Sequence, residues 1–252
     1  MNEPTPPSLP VNPANPNTPP EPAFTAEDKL PINSIGSAFE ALLRQPRRVL
    51  FQLGEASART VVLLLFGLAG LCAVLYGVVV GTFAGGQQLW AAPVKIAGGL
   101  LWSGLICLPS LYIFTCLAGS RASIRQVAGL VAGLLALMTL LLIGFAPVAW
   151  VFSQSTESVV VMGSLHLLFW AVAMYFAVSF FGAGFRSLVT NKDSGVMHVW
   201  LTVFVVVVLQ MSTALRPIVG TSDKFLPEQK RFFVGYWLDN LQEEEGHRRG
   251  SY

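Results

Sequence analysis

Five side chains carry most of the chemical potential of this chain. Thr202, Gln210, Thr213 and Arg216 recur at helical spacing and project within about 120° of one another. They form one polar stripe on a run dominated by Val and Leu. Such a stripe can hold a lipid headgroup or a partner protein. It can equally serve hydrogen bonding between helices, with the arginine reaching outward to the surface. Arg216 precedes Pro217, and proline disfavours a helical residue before it and donates no backbone bond. Carbonyls freed there would meet a guanidinium with five donors and a permanent charge. His166 stands apart, in an apolar stretch with Ser164 and Trp170 nearby. A histidine in that setting is either a proton-linked switch or a neutral group bonded to a neighbouring helix.

Catalytic patterns are missing from the sequence. There is no Walker loop, dinucleotide fingerprint, His-Glu-x-x-His or Gly-x-Ser-x-Gly. The three histidines are too scattered to form a metal site, and no nucleophile can be paired with a base. The three cysteines, Cys72, Cys107 and Cys116, lie inside apolar runs at no metal or redox spacing and read as small hydrophobes. The expectation is a non-enzymatic protein with no cofactor and no metal.

The elements that must position these residues follow from the charges. Hydrophobic residues make up 53% of the 252 and charged residues only 12%, about half the usual share of a soluble domain. No charge falls between Arg59 and Lys95, Lys95 and Arg121, Arg125 and Glu157, or Glu157 and Arg186. Runs of that length suit a bilayer, whose hydrocarbon of about 30 Å takes roughly 20 residues of helix. Backbone groups in lipid must bond within their own segment, so these runs are helices. The fold class is therefore all-α: a multi-pass bundle of five transmembrane helices with an amphipathic helix before and after it. The spans read as 60–80, 96–119, 126–151, 159–185 and 197–220. The net charge of +2 is too small to suggest nucleic acid. The partners this composition points to are membrane lipids and other membrane proteins.

Four regions divide the chain. Residues 1–33 are rich in proline and poor in apolar surface, and they read as a disordered tail. Residues 34–55 read as an amphipathic interfacial segment. Ser37 and Glu40 have capping-box spacing there, and Ile35, Phe39, Leu42 and Leu43 recur at helical spacing. The alternative is a helix packed on loops of the same protein. Residues 56–220 are the membrane domain. Residues 221–252 form a tail in which Phe232, Phe233, Tyr236, Trp237 and Leu241 share one helical face. That face suits a membrane surface or a partner groove. Gly129 and Gly133 make a small-xxx-small pattern for packing within the bundle or for dimerisation.

Arg121, Arg125, Arg186 and Lys192 fall after spans 2 and 4, whereas the loops after spans 1 and 3 hold only Lys95. The positive-inside rule then puts the N-terminus in the cytoplasm and the C-terminus outside.

With a proline-bearing tail, Phe39-Glu-Ala-Leu-Leu-Arg-Gln-Pro46 and five spans, the chain resembles the Yip1-type family in its broad sense. It is similar above all to a bacterial group of five-span proteins. That likeness rests on Leu108-Pro-Ser-Leu-Tyr112, on Gly119-Ser-Arg121 with Gln126, and on Gln210-Met with Leu215-Arg-Pro217 and Gly220. It covers roughly residues 35–240. The resemblance implies a multi-pass protein of the bacterial inner membrane that scaffolds a complex or influences lipid organisation. A small transporter or channel subunit, with a polar site near His166, Gln210 and Arg216, is the alternative.

Overall fold

The computed structural model describes residues 24–55, 57–156, 159–188 and 195–214. A 3-10 turn, Glu27–Lys29, leads into seven α-helices among the described residues. They are α1 (Ile35–Arg44), α2 (Pro46–Gly54), α3 (Ala58–Ala84), α4 (Gln88–Leu117), α5 (Ile124–Ser155), α6 (Val159–Leu188) and α7 (Gly195–Ala214). Four of them, α3 to α6, are long and apolar enough to cross a membrane. The apolar part of α7, Met197–Ser212, is shorter, and the residues after Ala214 lie outside the described part. The all-helical architecture with helices fit to cross a membrane therefore stands, with four full-length spans among the described residues; the second half of the fifth predicted span lies outside them.

The helices extend beyond the apolar runs. The loop expected over 81–95 shrinks to a turn at Gly85–Gln87, made possible by left-handed backbone at Gly85 (φ 64°) and Gly86 (φ 52°). Pro93, read as a loop residue, lies inside α4. Lys95 is thereby moved from a loop into a span, where it is 1% exposed. Gly77 of α3 explains how this proline is accommodated. A Cβ on Gly77 would collide with the Pro93 backbone, so the two helices cross there without an intervening side chain.

The connection between α4 and α5 is hydrogen-bonded throughout. Gly119 (φ 76°) ends α4, with Ser120 N donating to Thr115 O at 3.2 Å and Gly119 N to Cys116 O at 3.0 Å. This pair of bonds is the Schellman arrangement. Ser123 then caps α5: Gln126 N donates to Ser123 Oγ, and Ser123 N donates to Gln126 Oε1 at 2.8 Å. Ser120 Oγ also donates to Leu188 O at the end of α6. The Gly119–Arg121 and Gln126 pattern in the sequence thus builds one stop and one start.

α5 is the axis of the bundle. Of its apolar window, 78% is buried, against 33–44% for α3, α4 and α6. It packs mainly on α3 and α6, and α7 packs on α4. The glycine pair serves this packing. A Cβ on Gly129 would strike Leu53, and one on Gly133 would strike the Phe180 ring. Outward-facing Leu63, Leu71, Ile106, Ile113, Leu168 and Phe176 give the bundle an apolar exterior far beyond what a soluble monomer shows.

α1 and α2 lie on this bundle, against α3 and α5, and α2 also packs against the Glu27–Lys29 segment. The α1 cap is Ser34, not Ser37. Ser37 occupies the third helical position and returns the bond, with Ser34 N donating to its Oγ at 3.0 Å. Glu40 instead pairs with Arg44 at 3.7 Å. Pro46 is the first residue of α2, where its missing N–H is harmless.

Residues 24–33, expected to belong to the disordered tail, are docked. Arg48 Nε donates to Leu30 O at 2.9 Å and Arg48 Nη2 to Pro31 O at 2.8 Å. Gln52 Nε2 donates to Lys29 O and Leu30 O. Ile32 is buried and Phe24 packs edge-on against Phe51. Composition could not disclose this, because the donors sit about 20 positions downstream. Residues 1–23 and the aromatic C-terminal segment lie outside the described residues.

Candidate functional site

The sequence candidates whose side chains are described, Thr202, Gln210 and His166, are carried by two helices, α7 and α6. Thr202 and Gln210 are exposed on α7, on the side away from its buried Trp200, Phe204 and Val208. Thr202 Oγ1 donates to His198 O at 2.9 Å, one turn back on its own helix. That bond satisfies the hydroxyl without a tertiary partner. Thr213 falls in the last turn of α7, but its side chain, like Arg216, lies outside the described residues.

His166 is buried in α6 and meets α3. Its Nδ1 and the Tyr76 hydroxyl oxygen are 2.7 Å apart. The two rings stand edge to face with centroids 5.7 Å apart, and Phe169 closes another side of the imidazole. Among the described residues, His166 Nε2 is a buried polar atom with no partner. Either tautomer therefore leaves one ring nitrogen unmatched, as a donor if Nδ1 accepts from Tyr76 and as an acceptor if Nδ1 donates. The pair can hold one hydrogen bond between α3 and α6 and can offer Nε2 to a small polar group. The neutral-bond reading of His166 made from the sequence has its partner in Tyr76. No local sequence signal marked that tyrosine.

The anchor of α7 also escaped the sequence reading. Trp200 is fully buried and stacks between Phe181 and Phe204, with centroids 4.9 and 5.3 Å away. Its Nε1 donates to Cys107 O at 3.2 Å, a carbonyl that also accepts from Ser110 Oγ at 2.8 Å. The Leu108–Tyr112 motif with its interior Pro109 therefore adjoins the α4–α7 contact. The buried hydroxyls of Ser103, Thr115 and Thr139 donate to carbonyls of their own helices and carry no site.

The two ends of the bundle differ in charge. The alternating directions of α3 to α6 bring Arg59, Arg121, Arg125 and Arg186 to one end, where α1 and α2 also lie. At the opposite end, the turn at 85–87 and the described residues 155–156 carry no charge.

At the basic end a lateral groove of about 420 Å³ opens between α1–α2 and α5–α6. Its walls are almost wholly apolar, with Arg47 on the α2 side and Ser179 on the α6 side. Arg47 also lies over the Phe24 ring, 5.5 Å from its centroid. Compared with protein families, with curated proteins and with solved structures, the chain finds no match.

Proposed function

We propose that this chain is a non-enzymatic protein of the bacterial inner membrane that influences lipid organisation from its basic face, as the Yip1-type resemblance implies. One observation carries the reading. α1 buries Ala38, Ala41 and Leu42 on the bundle but turns Ile35, Phe39 and Leu43 outward, at 43–46% exposure. The Glu40–Arg44 pair flanks that apolar stripe. A helix with one face on protein, one apolar face open and one polar edge suits the boundary between headgroups and acyl chains.

Helix length supports this placement. α5, with 32 residues, is about 48 Å long, against about 30 Å of hydrocarbon. Counting about 30 Å back from exposed Trp150, an interface-type residue, reaches Leu130. Leu130 contacts the Gly184 position beside Leu50 of α2.

The reading includes five spans, with α7 continuing past Ala214, and puts the basic end in the cytoplasm. Reporter fusions after Arg121 and Lys192 should then report cytoplasm, and fusions near Gln154 and after Tyr252 the outside. The reverse pattern ends the topology. For the function, the full chain is placed in phosphatidylethanolamine–phosphatidylglycerol vesicles and acyl order is read with a polarity-sensitive probe. Wild type should change the order, and Ile35→Ser/Phe39→Ser/Leu43→Ser should not. A wild type that leaves order and vesicle size unchanged refutes the proposal.

The alternative, a small transporter or channel subunit, is favoured by the buried unmatched Nε2 of His166. Proton or solute flux through the reconstituted chain, lost in His166→Phe, would support it.

A further inference from the structure

The geometry points to the lateral groove at the basic end as a binding site for one anionic phospholipid, with an acyl chain between α1–α2 and α5–α6 and its phosphate at Arg47. The inference rests on the interfacial placement of α1 and α2 given above. The volume of about 420 Å³ lies within the range of ligand clefts, about 300–1,000 Å³. Its floor is Leu137 and Leu141 of α5, and its far wall is Phe176 and Phe180 of α6. Leu42 and Leu43 of α1 form the near wall. Only an apolar occupant gains from such walls, and the surrounding solvent at that depth is acyl chain.

The occupant is further defined by charge. Arg47 is the single ionisable group on the groove lining. A guanidinium's planar fork has five donors and matches a phosphate in two-point contact. Ser179 spends its hydroxyl proton on Tyr175 O at 2.9 Å, so the polar recognition falls to Arg47. The chain's own tail is a poor filler, because residues 1–23 hold only Met1, Leu9 and Val11 as large aliphatic side chains. Position is the remaining argument. Leu50 of the lining sits beside the Leu130–Gly184 contact, near the hydrocarbon boundary reckoned from Trp150, and Leu141 lies about three turns deeper along α5. A groove that reaches from that boundary toward the middle of α5 suits an acyl chain.

The test uses the full-length protein, stripped of lipid in mild detergent and titrated with three probes. These are phosphatidylglycerol, phosphatidylcholine with the same chains, and inorganic phosphate. Thermal stability and native mass spectrometry report binding. Phosphatidylglycerol should raise the melting temperature and remain bound as one copy, with phosphatidylcholine weaker and phosphate alone without effect. Arg47→Gln should weaken phosphatidylglycerol roughly tenfold or more, the loss of charged hydrogen bonds, and remove the preference over phosphatidylcholine. Ala183→Trp should block the groove for both lipids; its side chain starts from an exposed position on α6. If that variant does not fold, Ser179→Trp replaces it on the same exposed wall.

Equal binding of the two lipids by wild type refutes the assignment, as does undiminished phosphatidylglycerol binding in the groove-filled variant. Stabilisation by phosphate alone would reduce the site to an anion contact and overturn the lipid. Because binding is read in detergent, its failure leaves the vesicle experiment on α1 standing. Failure of that experiment leaves the lipid titration standing.

Discussion

α5 and α7 are alike in sequence and unlike in place. Both are apolar helices interrupted by threonine, and both threonines use the same local device. Thr139 Oγ1 donates to Leu135 O at 3.0 Å, and Thr202 Oγ1 donates to His198 O at 2.9 Å. Yet Thr139 is fully buried and Thr202 faces outward. A hydroxyl in a membrane helix can satisfy itself one turn back, so it marks neither a site nor an interface. An imidazole has no such bond available, and His166 takes its partner from a helix 90 residues away. Where tertiary contact is obligatory, substitution should be costly; where the bond is local, it should not.

The largest contrast lies within α5 itself. Gly133→Leu drives a side chain into the Phe180 ring, whereas a Cβ on Gly144 meets nothing. Gly133→Leu should therefore destabilise by about 3 kcal/mol through overpacking. Gly144→Ala should stay within about 0.5 kcal/mol of wild type. Melting in detergent measures both, and a tolerated leucine at 133 would mean that α5 is not enclosed by α6 there.

The Tyr76–His166 pair comes next. Tyr76→Phe leaves a second imidazole nitrogen unmatched and should lower stability by about 2 kcal/mol. His166→Phe added to it removes the orphaned polar groups, so the double variant should lose less than the sum. Additive losses would break the claim that the two act as a unit.

A smaller effect is expected where α2 clamps the 24–33 segment. Arg48→Lys keeps the charge but loses the fork that serves Leu30 O and Pro31 O, which should cost about 1 kcal/mol locally. Protease cutting near Leu30, rather than global melting, should report it. The same segment has a pH signature. Asp28 accepts from Thr25 N at 2.8 Å and Thr25 Oγ1 at 2.9 Å, and these bonds hold its carboxyl below the usual range. A depressed carboxyl contributes its stability above the ordinary value of about 3.9 and loses it as pH falls through the lower folded value. Cutting within 24–33 should thus be flat at neutral pH and rise only in strong acid. A rise near pH 6 would point to another group.

The smallest effect belongs to α7. Thr202→Val keeps shape and removes only the local bond, so stability should change by no more than about 0.5 kcal/mol. A larger loss would show that Thr202 has a partner beyond its own helix and would revive the polar stripe as an interface.

Charge-free run lengths were enough to specify the helical class and the approximate position of α3 to α6, the four helices long and apolar enough to cross a membrane, because a bilayer tolerates neither free backbone groups nor frequent charge. The small-residue spacing of Gly129 and Gly133 was also legible, since it acts over one turn of helix, whereas the capping spacing read at Ser37 and Glu40 lay three residues past the actual cap, Ser34. Other features were not. Lys95 and Pro93 looked like loop residues because their helix depends on Gly77, a neighbour brought in by the crossing of α3 and α4. The docking of 24–33 depends on Arg48 and Gln52, whose donors find carbonyls only when α2 lies back along that segment. The partner of His166 was hidden for the same reason, since Tyr76 is brought to it from α3. Spacing along a chain states which residues share a face of one helix, whereas which faces meet is decided by side-chain volumes packed between helices. Tyr76 against His166, Trp200 against Cys107 O, and an apolar groove ending at Arg47 exist only once that packing is complete.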